Sequence, residues 1–107
     1  MSWVVTLLNE IVVSELSALP ADMRARFTRI SMLIETYGLE QVHEPHVKHL
    51  EGRLWEMRLT GRDGIARAIY LTAVGKRVVV VRVFVKKSQK TPAYELEIAR
   101  TRAKEIK

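Results

Sequence analysis

The sequence predicts a small α+β domain in which helices pack on a twisted, mainly antiparallel sheet. Three observations favour this fold class. Residues 3–8 are β-branched and aromatic, residues 23–37 carry apolar side chains at helical spacing, and residues 54–85 contain three consecutive strand-like segments. Runs of helices and strands that are separated along the chain are typical of α+β domains. A chain of 107 residues has room for one hydrophobic core, so we expect residues 1–107 to form a single domain.

The first half of the chain predicts one strand followed by two helices. Residues 3–8 (WVVTLL) form the strand, and Asn9 is suited to cap a helix over residues 10–19 that ends at Pro20. A second helix follows, because six apolar residues recur at steps of three or four: Met23, Phe27, Ile30, Leu33, Ile34 and Tyr37. We expect Gly38 to end this helix, since glycine is the usual residue just beyond a helix C-terminus.

The second half predicts an irregular connection, three strands and a last helix. Residues 39–53 contain the breakers Pro45 and Gly52 and are expected to be irregular. The strands are expected over residues 54–59, 65–72 and 77–85. Thr91-Pro92 predicts a helix N-terminus with Thr91 as the capping residue. In the resulting order, β-α-α-β-β-β-α, the helices cover one face of the sheet and cations lie on or beside the other.

Positive charge is concentrated in the second half of the chain. Residues 1–47 hold three Arg against six acidic residues, whereas residues 48–107 hold fifteen Lys and Arg against six acidic residues. The net charge is +6. This asymmetry predicts a cationic surface for nucleic acid or for an acidic partner.

The composition excludes several kinds of site. The chain has no cysteine, which excludes disulfides, zinc–thiolate sites and thiol nucleophiles. His43, His46 and His49 are three residues apart, but Pro45 interrupts a continuous helix and no clear carboxylate set completes a metal site. We therefore expect these histidines on a surface loop and no metal or other cofactor. Residues 1–13 lack the basic start of a signal peptide, and no stretch approaches the ~18 apolar residues of a membrane span, so we expect a cytoplasmic protein without membrane contact.

Two segments carry a family resemblance. LEGRLWEMRLTGRDGIARAIYL, followed by RVFVKKSQKTP and a basic helix, resembles the HigB/RelE-type toxins of bacterial toxin–antitoxin pairs, and is most similar to their phage-derived, Gp49-like branch. The resemblance implies a small RelE-like fold and an mRNA interferase, a metal-independent endoribonuclease that cuts messages in the ribosomal A site. It implies the 70S ribosome, mRNA and a cognate HigA-like helix-turn-helix antitoxin as partners. Operator DNA is then bound only through the antitoxin.

The same resemblance implies functional positions. Arg67 falls where the family places its most important catalytic arginine, and Arg58 falls where relatives hold a second basic residue. Lys87 takes a position that is often arginine in the RelE branch, Glu56 one that is lysine in some relatives, and Tyr94 one that is a functional tyrosine in some RelE-type members. Five further basic residues are expected to bind RNA: Lys48, Arg53, Arg62, Lys86 and Lys90.

These residue types suit cleavage of RNA by its own 2′-hydroxyl. That reaction needs stabilisation of the negative charge that grows on the phosphate, and an arginine fork pairs with two phosphate oxygens. We expect Arg67 to supply this stabilisation with help from Arg58. The base that takes the 2′ proton is either Glu56 or Tyr94, or else most of the rate comes from holding the message in a reactive geometry on the ribosome.

Two other functions remain open at this point. A non-enzymatic inhibitor of DNA gyrase, like the ParE-type toxins, would use the same scaffold. A simple nucleic-acid-binding module would explain the charge alone. The presence of Arg58, Arg67 and Lys87 favours the nuclease, because a gyrase inhibitor does not need this set of residues.

Overall fold

The computed structural model describes residues 2–86 and 90–107, and it confirms the predicted fold class. The strands are β1 (Val4–Leu7), β2 (Val47–Glu51), β3 (Leu54–Gly61), β4 (Gly64–Ala73) and β5 (Arg77–Lys86). The helices are α1 (Glu10–Ser17), α2 (Ala21–Tyr37) and α3 (Ala93–Ala103), and a short 3-10 turn covers Leu39–Gln41. The sheet order is β1-β5-β4-β3-β2, with β1 parallel to β5 and every other pair antiparallel. In this part of the chain, no helix is long and apolar enough to cross a membrane.

Strand β2 was not predicted. The sequence favoured an irregular segment there, but β2 pairs antiparallel with β3, and Lys48 lies opposite Glu56. Gly52, at φ 48°, is in the turn that joins the two strands. The segment VKHLE has little strand propensity of its own and follows Pro45, so pairing with β3 decides its conformation. This extra strand matters for the site, because it brings Lys48 alongside the cations of β3 and β4.

Helices cover both faces of the sheet, so the prediction of helices on one face is wrong. Helices α1 and α2 pack on one face, in a core that includes Val12, Phe27, Ile30, Met57 and Tyr70. Helix α3 packs on the other face, where Ala99 and Ile106 share a second core with Ile69, Leu71 and Val81. The prediction failed because α3 has no clear apolar stripe: its buried residues are Glu95 and Ala99, and Ile106 follows the helix.

The helix termini follow the sequence signals in two places and depart from them in one. The Asn9 side chain accepts a hydrogen bond from the backbone N–H of Val12 at 3.1 Å, as expected of an N-cap. Gly38 ends α2 at φ 93°, also as expected. The prediction for Thr91 is wrong. Pro92 is the N-cap of α3 without a side-chain hydrogen bond, and the Thr91 hydroxyl donates to Glu56 instead.

Beyond the end of β1, charged side chains make the hydrogen bonds that a partner strand would make with the backbone of β5. Strand β1 pairs with β5 only as far as Val80. Further along, the Glu15 carboxylate accepts the backbone N–H of Val83 at 3.1 Å, and Arg102 donates to the carbonyl of Val81 at 2.7 Å. These side chains replace the partner strand, which an exposed edge would otherwise leave open to another chain.

The same residues form a charge network that ties α1, β5 and α3 together. Arg82 bridges Glu15 and Glu95 with two contacts of 2.6 Å. Arg102 also contacts Glu15, at 3.0 Å. Two arginines thus face two glutamates, and all four side chains are largely buried.

We predict that Glu15→Gln destabilises the domain by about 2 kcal/mol, because it leaves two largely buried arginines short of a negative partner. Urea unfolding measures the free energy change. The matched control is Glu10→Gln on the exposed side of the same helix, which should cost no more than about 0.5 kcal/mol from the helix dipole. Equal losses in the two variants would contradict a stabilising role for the network.

Candidate active site

Four cations on neighbouring strands share one face of the sheet. The register places Lys48 opposite Glu56 and Arg58 opposite Arg67, and Lys86 lies two residues beyond the partner of Arg67 on β5. Side chains that lie opposite one another, or two residues apart on one strand, point to the same face. This is the face on which α3 packs. We call Lys48, Arg58, Arg67 and Lys86 the cationic cluster.

A buried ion pair lies within the cationic cluster. Arg67 Nη1 donates to Glu56 Oε2 at 2.7 Å, and the two side chains are 3% and 2% exposed. The other carboxylate oxygen, Glu56 Oε1, accepts the Thr91 hydroxyl at 3.0 Å. Both oxygens of Glu56 are therefore engaged, and a buried carboxylate with a cation and a hydroxyl as partners has its charge compensated.

Arg67 still has an unused donor. Its Nε is buried and has no hydrogen-bond partner within the described part of the chain. A buried donor without an acceptor is rare in native proteins, and it indicates a position where a ligand oxygen would be stabilised. Burial lowers the pKa of Arg67 below its usual value, Arg58 lowers it further, and Glu56 acts in the opposite direction. An anion at this position would favour the charged form of Arg67.

The unused donor belongs to an edge of the guanidinium that can bind two oxygens at once. In an arginine, Nε–H and one Nη2–H point in the same direction and match a carboxylate or a phosphate. Arg100 shows this arrangement, with Nε and Nη2 on the two oxygens of Glu51 at 2.5 and 2.7 Å. Glu56 contacts Arg67 through Nη1, which is not part of this edge.

The charges of the other members of the cationic cluster affect the pKa of Lys86. Its partial burial lowers the pKa of the ammonium group, and the charges of Arg67, Arg58 and Lys48 lower it further, while Glu56 raises it. These groups therefore lie within electrostatic reach of one another. A bound anion would relieve their mutual repulsion.

Two residues that were predicted to bind RNA have other contacts. The Arg53 guanidinium donates to the backbone carbonyls of Ile106 and Thr72, both at 3.1 Å, and so holds the C-terminal segment against β4. Arg62 lies in the turn between β3 and β4, and its backbone N–H donates to Asp22 at 2.6 Å. That contact lowers the pKa of the Asp22 carboxyl below its usual value. The Arg53 guanidinium thus makes a structural contact, whereas the contact of Arg62 uses its backbone.

The remaining predicted residues lie around the start of α3. Tyr94 is on the first turn of α3 and is 63% exposed. Lys90 precedes this helix. Lys87 lies outside the described residues. Thr91 was not predicted to be part of the site, and no local signal identifies it, because its contact with Glu56 joins residues that are 35 positions apart.

A second concave surface lies on the opposite face of the sheet. It is a groove of about 680 Å³ whose lining includes Trp3, Val42, Trp55 and His49. Trp55 lies on β3 and is 39% exposed in this groove. His49 was predicted to lie on a loop, but it is on β2 with its ring centroid 5.0 Å from that of Trp55. The prediction for His49 is wrong because the segment that carries it pairs with β3 as a strand.

Residues 2–86 and 90–107 contain no group of three or more His, Cys, Asp or Glu side chains arranged to hold a metal. His49 Nε2 instead lies 2.8 Å from the backbone oxygen of Gly52.

Comparisons with known proteins agree with this fold. The family model described as phage derived protein Gp49-like (DUF891) matches residues 14–104. The crystal structure of the archaeal RelE-RelB complex from Pyrococcus horikoshii OT3 contains a chain that is similar, with a TM-score of 0.62 and 24% sequence identity, over 81% of this chain and 98% of that chain. No curated protein matches the chain. The resemblance to the Gp49-like branch and the expected RelE-like fold are both confirmed.

We predict that Glu56→Leu destabilises the domain by about 3–5 kcal/mol, because it leaves the Arg67 guanidinium buried without a counter-ion. The double variant Glu56→Leu/Arg67→Met should recover most of this loss, since apolar side chains of similar size replace the whole pair. Urea unfolding of the two variants and of Arg67→Met completes the cycle. Additive losses would show that the two side chains do not interact.

Proposed function

This chain belongs to the Gp49-like family of phage-derived proteins, and from that premise we propose that it is the toxin of a toxin–antitoxin pair. We propose further that it is a ribosome-dependent endoribonuclease, which cuts messenger RNA in the A site and so blocks translation. The protein acts in the cytoplasm, where its substrate is translated.

The observation that carries this proposal is the cationic cluster around a buried arginine with an unused donor. Lys48, Arg58, Arg67 and Lys86 lie on one face, and the Nε of Arg67 has no acceptor within the residues described. Clustered cations attract a phosphate backbone, and a desolvated arginine fork holds a single phosphate in a defined orientation. A surface with both features suits the binding and polarisation of a phosphodiester.

In the proposed reaction the RNA supplies the nucleophile and the protein supplies charge. The 2′-hydroxyl attacks the adjacent phosphorus, and the Nε–Nη2 edge of Arg67 stabilises the negative charge on the phosphate oxygens. Arg58 assists from the neighbouring strand, and Lys48 binds a neighbouring phosphate of the RNA. In this proposal the cations of the protein stabilise the charge on the phosphate, and no step is assigned to a metal ion.

We assign the two proton transfers from the pKa of Lys86 and from the hydrogen bonds that Glu56 already makes. Lys86 is suited to protonate the leaving 5′-oxygen, because its lowered pKa makes it a better acid than an ordinary lysine. Glu56 already uses both oxygens, so we assign the base to Tyr94, the other candidate that the sequence offered. Lys87 keeps its proposed catalytic role from the family resemblance.

The proposed partners follow from the family. The P. horikoshii RelE was crystallised with RelB, which supports a protein antitoxin for this chain. We propose that the antitoxin is HigA-like, carries the helix-turn-helix domain and contacts operator DNA on behalf of the pair. The other proposed partners are the 70S ribosome and its bound message.

We predict that Arg67→Lys lowers the rate of ribosome-dependent cleavage by about 100-fold. The lysine keeps the charge beside Glu56 but lacks the two-donor edge, and one such donor pair is worth about 3 kcal/mol in the transition state. Primer extension on a translated message measures the cleavage rate. Arg29→Lys makes the same chemical change on the exposed side of α2 and should have no effect.

Two results would contradict the proposed function. One is full cleavage by a folded Arg67→Lys variant. The other is inhibition of gyrase supercoiling by the wild type while translated messages stay intact, which is the outcome expected of a ParE-like toxin.

We predict that Lys48→Ala and Lys86→Ala each weaken binding to a single-stranded RNA oligonucleotide and reduce the slope of log affinity against log salt by about 0.7. Each substitution removes one phosphate contact and the counterion that this contact releases. Fluorescence anisotropy at several salt concentrations measures both quantities. Lys104→Ala, at the far end of α3, is the matched control, and an equal effect there would show that binding depends on net charge alone.

A further inference from the structure

We propose that Glu56 and Thr91 are positioning residues, which hold the Arg67 guanidinium so that its Nε–Nη2 edge faces the scissile phosphate. This inference rests on the proposed function. It gives Glu56 a role different from that of a base, and it adds Thr91 to the site.

The first argument is which nitrogen of Arg67 is occupied. Carboxylates contact arginines in two ways in this protein: Glu51 takes the two-donor edge of Arg100, whereas Glu15 contacts Arg82 through Nη1. The second kind leaves the Nε–Nη2 edge clear of the carboxylate that makes it. Glu56 contacts Arg67 in the second way, through Nη1 and one oxygen, at 2.7 Å. The contact fixes the plane of the guanidinium and leaves Nε without an acceptor among the described residues. Glu56 therefore does not occupy the donor that a phosphate oxygen would take.

The second argument is the use of the other carboxylate oxygen. A carboxylate held by one contact can rotate about its side chain, and the guanidinium would rotate with it. The Thr91 hydroxyl donates to Glu56 Oε1 at 3.0 Å and restrains this rotation. Thr91 is thereby diverted from the helix cap that its Thr-Pro sequence favours. Its hydroxyl serves a side chain on β3 instead of the backbone of its own helix.

The third argument is that the contact between Arg67 and Glu56 is buried. Arg67 and Glu56 are nearly inaccessible to solvent, so water does not compete strongly for their hydrogen bonds. Thr91 also links the segment just before α3 to β3, which couples the place where this helix starts to the orientation of Arg67. The three groups act in series, from Thr91 to Glu56 to Arg67.

The variant that tests the inference is Thr91→Val, which keeps the shape of the side chain and removes the hydroxyl. We expect the kcat of ribosome-dependent cleavage to fall about tenfold, as for the loss of one hydrogen bond to a charged group, while KM changes less than twofold. Thr91→Ser restores the hydroxyl and should stay within about twofold of the wild-type rate. Thr101→Val, on the exposed surface of α3, is the matched control and should have no effect.

A double variant separates positioning from an independent effect. If Thr91 acts through the fork of Arg67, Thr91→Val should slow Arg67→Lys no further. A further tenfold loss in that background would overturn the inference. A normal rate for folded Thr91→Val, with Arg67→Lys inactive, would overturn the positioning role and leave the proposed function standing. Full activity of Arg67→Lys would remove both.

A measurement on the wild type is independent of any folding defect in the variants. The Nε–Hε resonance of Arg67 is followed by NMR during titration with inorganic phosphate. We expect this resonance to shift while that of Arg100, whose edge is occupied by Glu51, stays in place. A stationary Arg67 resonance at phosphate concentrations that shift other members of the cationic cluster would show that the edge does not face the ligand.

Discussion

The buried pair between Glu56 and Arg67 is the interaction on which the candidate site depends. A guanidinium inside the sheet face is stable only with a counter-ion, because an unpaired buried charge costs several kcal/mol. Glu56 supplies that counter-ion from the adjacent strand, and Thr91 supplies the second hydrogen bond from the start of α3. The pair makes it possible to keep an arginine desolvated and oriented before any substrate arrives. Desolvation and prior orientation are the two properties that make a charged donor effective in a transition state.

Two groups of charged residues in this protein differ in charge balance, and the difference indicates which group stabilises the fold and which binds a ligand. In the network of Glu15, Arg82, Glu95 and Arg102, arginines and glutamates occur in equal numbers and the contacts join α1, β5 and α3. In the cationic cluster, four basic side chains lie around Glu56. The pKa of Lys86 is lowered by partial burial first and then by the charges of the other three. A balanced network stabilises the fold without a ligand. An excess of one sign is stabilised further by a ligand of the other sign, so it suits a binding surface.

The sequence predicted those parts of the structure that depend on local patterns. Asn9 and Gly38 lie at helix ends as general rules for helix capping predict. It did not predict β2, whose strand conformation depends on pairing with β3. It also did not predict the face that α3 covers. For the site, a family resemblance identified Arg67 and Arg58, whereas Thr91 was read as a cap. The hydrogen bond between Thr91 and Glu56 joins distant segments of the chain, so no local sequence pattern predicts it.

The arrangement of the site also explains why the proposed nuclease would depend on the ribosome. The cationic cluster stabilises charge, but Glu56 has both oxygens occupied and Tyr94 lies exposed on α3. Within the described residues, charge stabilisation is thus better developed than the removal of the 2′ proton. Free RNA samples many backbone conformations, and few of them align the 2′-oxygen with the leaving oxygen. A message held in the A site has far fewer conformations, and fixing the reacting atoms in this way can supply several kcal/mol of the barrier. The ribosome would then provide the geometry that this small domain lacks, while the domain provides the desolvated arginine.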